Sequence, residues 1–175
     1  MEDLIPPGGR PYWFFLAVLA LSRGADFFST WVATPNLVLE GNPIAKRLGW
    51  KGGLVANAVL CLTFAMWPLS AIAIATTSVL VAARNFQSAW LMRTLGEEGY
   101  RDWYIKRLRQ TGLPLYLLCL AGQTLPTALV GGVLMYFYNG MVVPFSIGLG
   151  ILAYALAVTV FTLLSLWRLR RHPAD

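Results

Sequence analysis

Apolar residues fill long runs of this chain, and charged or turn-forming residues punctuate them at intervals. A helix needs about 20 apolar residues to cross a hydrocarbon core about 30 Å thick. Five runs approach that length, over about residues 11–33, 52–67, 69–92, 113–138 and 142–167. They predict an all-α fold: a polytopic membrane helical bundle with five transmembrane helices, forming a single transmembrane domain over 1–175. The second and third runs are divided only by "AMWPLSA". Pro68 lacks an N–H and disfavours helical backbone at Trp67, so a tight hairpin is expected there, with one long kinked helix as the alternative.

The longest polar segment, "MRTLGEEGYRDWYIKRLRQTG", has helical rather than random spacing. Over about residues 97–110, Tyr100, Trp103, Tyr104 and Leu108 fall near one face, while Arg101, Asp102, Lys106 and Arg109 lie largely elsewhere. The pattern fits an amphipathic helix in the membrane interface, and equally an ordinary connecting helix with a solvated charged face. Trp31, Trp50, Trp67, Trp90 and Trp167 fall near span ends and read as interfacial anchors.

Composition agrees with this pattern. Of 175 residues, 57% are hydrophobic and 13% charged, and the mean hydropathy is +0.60, which is outside the range of soluble domains. Charge then sets the orientation. Eleven of the fourteen Lys and Arg residues lie on one side of a five-span arrangement: Lys46, Arg47 and Lys51, the polar segment, and the tail with Arg168, Arg170 and Arg171. The positive-inside rule puts the N-terminus outside and the C-terminus in the cytoplasm of a multi-pass inner (plasma) membrane protein.

The net charge of +6 is thus mostly topological. No nucleic acid is expected as a partner, whereas membrane lipids are, because basic loops attract anionic headgroups. The amino terminus lacks a basic region before its apolar stretch, so the first helix is not expected to be cleaved. Cys61 and Cys119 stand singly and His172 is the only histidine, so no cofactor, metal set or disulfide is suggested. Gly131, Gly132, Gly148 and Gly150 would let helices approach closely in lipid, and a homo-oligomer contact is one use of such residues.

The informative departures are polar residues inside spans. Arg23, Asp26 and Thr30 lie along one helical stripe, flanked by Ser22 and Ser29. Charge at the bilayer centre costs a few kcal/mol at least, so this stripe should face the bundle interior. Arg84, Asn85 and Ser88 share a face of the third span, and Arg84 reaches a depth similar to that of Asp26, so the two can pair. Asn57 and Gln123 enter from the cytoplasmic side. Glu40 and Asn42 sit in a segment broken by Pro35, Gly41 and Pro43 that is expected to dip back towards the bundle, where irregular backbone needs protein or water cover. Together these ten residues predict a ligand-binding polar cavity in the cytoplasmic half.

The pattern Asp26, Thr30, then Glu40, Asn42 and Pro43, followed by a span, resembles a group of small multi-pass bacterial and archaeal membrane proteins of uncharacterised function. The resemblance covers about residues 19–60 and implies a helical bundle in which those five residues act together. It brings no reaction with it. "LGEEGYRDWYIKR" is similar to the tail of membrane isoprenylcysteine-type methyltransferases, but the upstream His-Pro pair is missing and two further spans follow.

Three functions fit these residues. The first is binding or transport of a small amphiphilic or anionic molecule, with arginines holding its phosphate or carboxylate. The second is a membrane enzyme acting on a lipid phosphate through a metal held by Asp26, Glu40 and Asn42. The third is a structural or assembly subunit, in which the polar groups satisfy one another.

Overall fold

The computed structural model describes residues 4–171, with side chains to residue 167; Glu2, Asp3 and His172 lie outside the described residues. Six helices follow one another with short connections: α1 (Arg10–Ala33), α2 (Pro43–Phe64), α3 (Pro68–Leu95), α4 (Glu97–Gln110), α5 (Leu113–Tyr136) and α6 (Val142–Arg171). Among the described residues there is no strand. Four helices, α1, α3, α5 and α6, are long and apolar enough to cross a membrane. The chain is a multi-pass helical membrane protein.

The helix starts follow from proline chemistry. Pro11, Pro43, Pro68 and Pro114 each stand in the first turn of a helix, where a missing N–H costs nothing and the fixed φ suits the helix. At Pro68 this settles the second apolar run as two helices, because Trp67 is extended and the Ala65 to Trp67 turn closes on Cys61, Thr63 and Phe64. α2 begins well before the expected position. Asn42 caps it by accepting from the Ile44 amide at 3.0 Å, and Gly49, with φ 64°, bends it. α2 is not among the four long apolar helices; its first half carries Lys46, Arg47 and Lys51.

α1 packs along α3, α3 along α6, and α6 along α5, with α2 against α1 and α4 beside α3. The return of α2 is fixed at its far end: the Ile5 amide donates to Met66 O at 3.0 Å and Tyr12 Oη to Leu62 O at 3.2 Å. The end of α2 therefore lies beside the start of α1. Leu19, Cys61, Ala65 and Ala71 are buried around this contact.

Small residues build the centre of the bundle. α3 buries Ala71, Ala73, Ala75, Ser78, Ala82 and Ala89. A Cβ on Gly150 would lie 2.6 Å from Ala73 O, and one on Gly148 would lie 2.5 Å from Gly131 O. Such close backbone approach replaces the hydrophobic drive that lipid cannot supply. Thr77 Oγ1 adds a bond to Gly150 O at 2.9 Å.

α4 coincides with the expected amphipathic segment. Tyr100, Tyr104 and Leu108 turn partly inward, Trp103 is exposed, and Tyr104 Oη meets Tyr116 Oη of α5 at 2.7 Å.

Candidate functional site: a polar cavity beneath a pinned loop

Arg23 organises the polar interior. Its Nε donates to Asn57 Oδ1 on α2 at 2.7 Å, and its Nη1 to Asp26 Oδ2 at 2.8 Å and to Ser78 Oγ on α3 at 3.3 Å. Asn57 completes its own bonding by donating to Gly53 O at 2.9 Å. One turn further along α1, Asn85 Nδ2 from α3 donates to Ser29 Oγ and Thr30 Oγ1, both at 3.1 Å. Ser29 Oγ in turn donates to Asp26 O at 2.8 Å. The network joins three helices through groups that lipid could not satisfy.

The expected pairing of Asp26 with Arg84 does not form. Asp26 pairs with Arg23, three residues earlier on the same helix, a spacing that brings side chains together without any inter-helix adjustment. Arg84 makes no hydrogen bond or ion pair among the described residues, and its charge is felt by Tyr100 and Tyr104 of α4.

A cavity of about 550 Å³ opens beside this network, within the range of small-molecule sites. Eight of the ten residues singled out in the sequence line it: Arg23, Asp26, Thr30, Glu40, Asn42, Asn57, Arg84 and Asn85. Ser88 and Gln123 do not. Ser88 is half-buried on α3. Gln123 is exposed on α5, which reaches the rest of the bundle chiefly through α6.

The far wall comes from α6, through Tyr154, Ala157, Val158, Phe161 and Thr162. Trp50 also belongs to the wall and is not a free anchor: its Nε1 donates to Pro35 O at 2.8 Å, and its ring meets Phe27 edge-on at 5.0 Å.

The segment after α1 roofs the cavity with Leu37, Leu39, Glu40 and Asn42. It is held by Glu97 at the start of α4. One carboxylate oxygen accepts from Thr34 Oγ1 at 2.6 Å and the Val38 amide at 3.0 Å; the other accepts from the Asn36 amide at 2.8 Å and Asn36 Nδ2 at 3.0 Å. Thr34 Oγ1 accepts from the Leu39 amide at 3.1 Å, and Leu37 has a positive φ of 56° inside this knot. Desolvation pushes the Glu97 carboxyl up, but the four hydrogen bonds outweigh it, so its pKa lies below the ordinary glutamate value. In the sequence Glu97 stands only as one residue of the amphipathic segment, with nothing to mark it as a tether for the 34–42 loop.

Glu40 is half-buried, and its Oε1 accepts from the Asn42 amide at 2.7 Å. Its Oε2 has no hydrogen-bond partner among the described residues. No three of His, Cys, Asp and Glu come together as a metal-ligand set among the described residues. Comparison with family models, curated proteins and solved structures gives no match to this chain.

Proposed function

We propose that the protein binds or moves a small amphiphilic or anionic molecule through this cavity. The observation that carries the reading is Arg84, a cation in the cavity wall with no hydrogen-bond or ion-pair partner among the described residues. A guanidinium at membrane depth is costly unless something neutralises it, and its forked donors match a phosphate or carboxylate. Apolar side chains such as Val81 and Met92 of α3 and Val158 of α6 line the same cavity and suit a chain or ring.

The topology that accompanies this reading has five spans, with α2 crossing between α1 and α3 and the N-terminus outside. Its support is the Ile5–Met66 bond, which requires the chain to travel back the length of α1 before α3 begins. Lys46, Arg47, Lys51, Arg93 and the charges of α4 then gather with the cavity roof at the cytoplasmic face of an inner membrane. Membrane lipids are the natural partners, and exposed Gln123 on α5 suits contact with a second copy of the chain.

The structural account explains the network around Arg23 and Asp26, but not Arg84, which makes no hydrogen bond or ion pair among the described residues. The enzyme account is weakened because Asn42 Oδ1 is already engaged in capping α2.

A thermal-shift titration in detergent tests the proposal with a panel of anionic and zwitterionic amphiphiles. A ligand that binds the folded state raises the midpoint with its concentration. Such a rise in wild type, lost in Arg84→Gln, supports the reading; no rise with any amphiphile contradicts it.

A further inference from the structure

The charges lining the cavity do not sum to a simple anion site. Arg23 and Asp26 neutralise each other at 2.8 Å. Two charges remain uncompensated, and they have opposite signs: Arg84 on α3 and Glu40 in the roof. They do not pair with each other, since the one ion pair among the described residues is Arg23–Asp26. Both line the same cavity.

A purely anionic ligand would satisfy Arg84 and leave Glu40 facing it with like charge. A zwitterion satisfies both. Resting on the binding reading above, we propose that the ligand is a zwitterionic phosphate compound, an ammonium joined to a phosphate by a short linker. The phosphate sits on Arg84, whose fork offers parallel donors. The ammonium sits on Glu40, whose Oε2 is open while Oε1 holds the Asn42 amide. An ammonium carries three donors, and Asp26, whose Oδ1 has no hydrogen-bond partner among the described residues, lines the same cavity. Asp26 and Glu40 are near enough for their charges to interact, so a cation between them relieves their repulsion. The phosphate compound is either an ethanolamine-type lipid headgroup, its chains lying on the apolar wall, or the free headgroup.

The test is isothermal titration of the detergent-purified protein with three probes: a short-chain phosphatidylethanolamine, the matching phosphatidylglycerol, and free phosphoethanolamine. Both variants used keep the hydrogen bonds of the described residues, since Arg84 makes none among them and Glu40→Gln still accepts from the Asn42 amide through its carbonyl oxygen. Wild type should bind the ethanolamine lipid about tenfold tighter than the glycerol lipid. Glu40→Gln should remove that preference by weakening the ethanolamine lipid alone, and Arg84→Gln should weaken both lipids about tenfold or more. Free phosphoethanolamine that binds as tightly as its lipid makes the ligand a soluble zwitterion; much weaker binding makes it a headgroup. Either result sustains the assignment. A wild type that prefers phosphatidylglycerol, or a preference that Glu40→Gln leaves intact, overturns the zwitterion and leaves the anion cavity standing. Absence of binding by all three probes overturns the cavity reading as well.

Discussion

Arg23 Nη1 lies 2.8 Å from Asp26 Oδ2, one helical turn away on α1, and the same guanidinium reaches Asn57 of α2 and Ser78 of α3. Removing either charge strands the other in a half-buried setting. Arg23→Ala should therefore destabilise the fold by about 2–3 kcal/mol, below the full value for a deeply buried pair because both side chains keep some exposure. Melting in detergent checks this. Adding Asp26→Ala should recover part of the loss, whereas strictly additive effects would show that the two side chains are not coupled.

Glu97 holds the cavity roof through four hydrogen bonds. Its carboxyl is depressed in the folded state, so the stabilisation is fully present above the ordinary glutamate value of about 4.3 and is lost as pH falls through the lowered value. The protection of residues 34–42 against hydrogen exchange, taken relative to the intrinsic amide rate at each pH, should be high at neutral pH and fall on acidification. In Glu97→Gln that protection should be low at every pH. Equal protection in the two proteins at neutral pH would show that Glu97 does not hold the roof.

The glycines of α5 and α6 separate into those that are packed and those that are not. A Cβ on Gly148 would meet Gly131 O at 2.5 Å, while one on Gly132 would meet nothing within 4 Å. Gly148→Val should cost about 1–3 kcal/mol by forcing the helices apart, and Gly132→Ala should change stability by less than about 0.5 kcal/mol. The two melting midpoints in detergent distinguish these outcomes.

The proposed five-span arrangement predicts opposite exposures for two turns. In a protein freed of thiols by Cys61→Ala and Cys119→Ala, a cysteine at Asn139 should react with a membrane-impermeant reagent added outside intact cells. A cysteine at Gln110 should react only after lysis. These positions flank α5 at its two ends, so the reverse result would invert the topology, and with it the side on which the cavity opens.

The helices and most of the cavity were legible because lipid makes polar residues conspicuous. Arg23, Asp26, Asn57 and Asn85 stand out within apolar runs, and each has a protein partner in the interior. Pro68 marked the hairpin for a local steric reason that needs no tertiary context. What depends on helix neighbours was not legible in the same way. Gln123 has the right depth but lies on α5, and α6 separates α5 from the cavity. The partner of Asp26 turned on which arginine it could reach, and Arg23 on its own helix was nearer to hand than Arg84.

Two contributors were missed. Tyr154, Ala157, Val158, Phe161 and Thr162 recur at the spacing of one helical face, with a hydroxyl at each end of the set. That periodicity was available as a signal, but it is muted where every face of a helix is apolar. Glu97 gave no such signal. An acidic residue in the first turn of a polar helix is ordinary dipole chemistry, and only the fold brings the 34–42 backbone to it.

In the proposed function a molecule occupies the cavity against Arg84. Native mass spectrometry of the protein purified in mild detergent reads that occupancy, comparing wild type with Arg84→Gln and with Ala157→Trp, a bulky side chain placed in the cavity lining from α6. Wild type should carry a defined adduct of lipid or metabolite mass, and both variants should lose it while melting near the wild-type midpoint. A wild type without any adduct, or an adduct retained by both variants, would contradict the claim and leave the polar residues as the internal scaffold of the bundle.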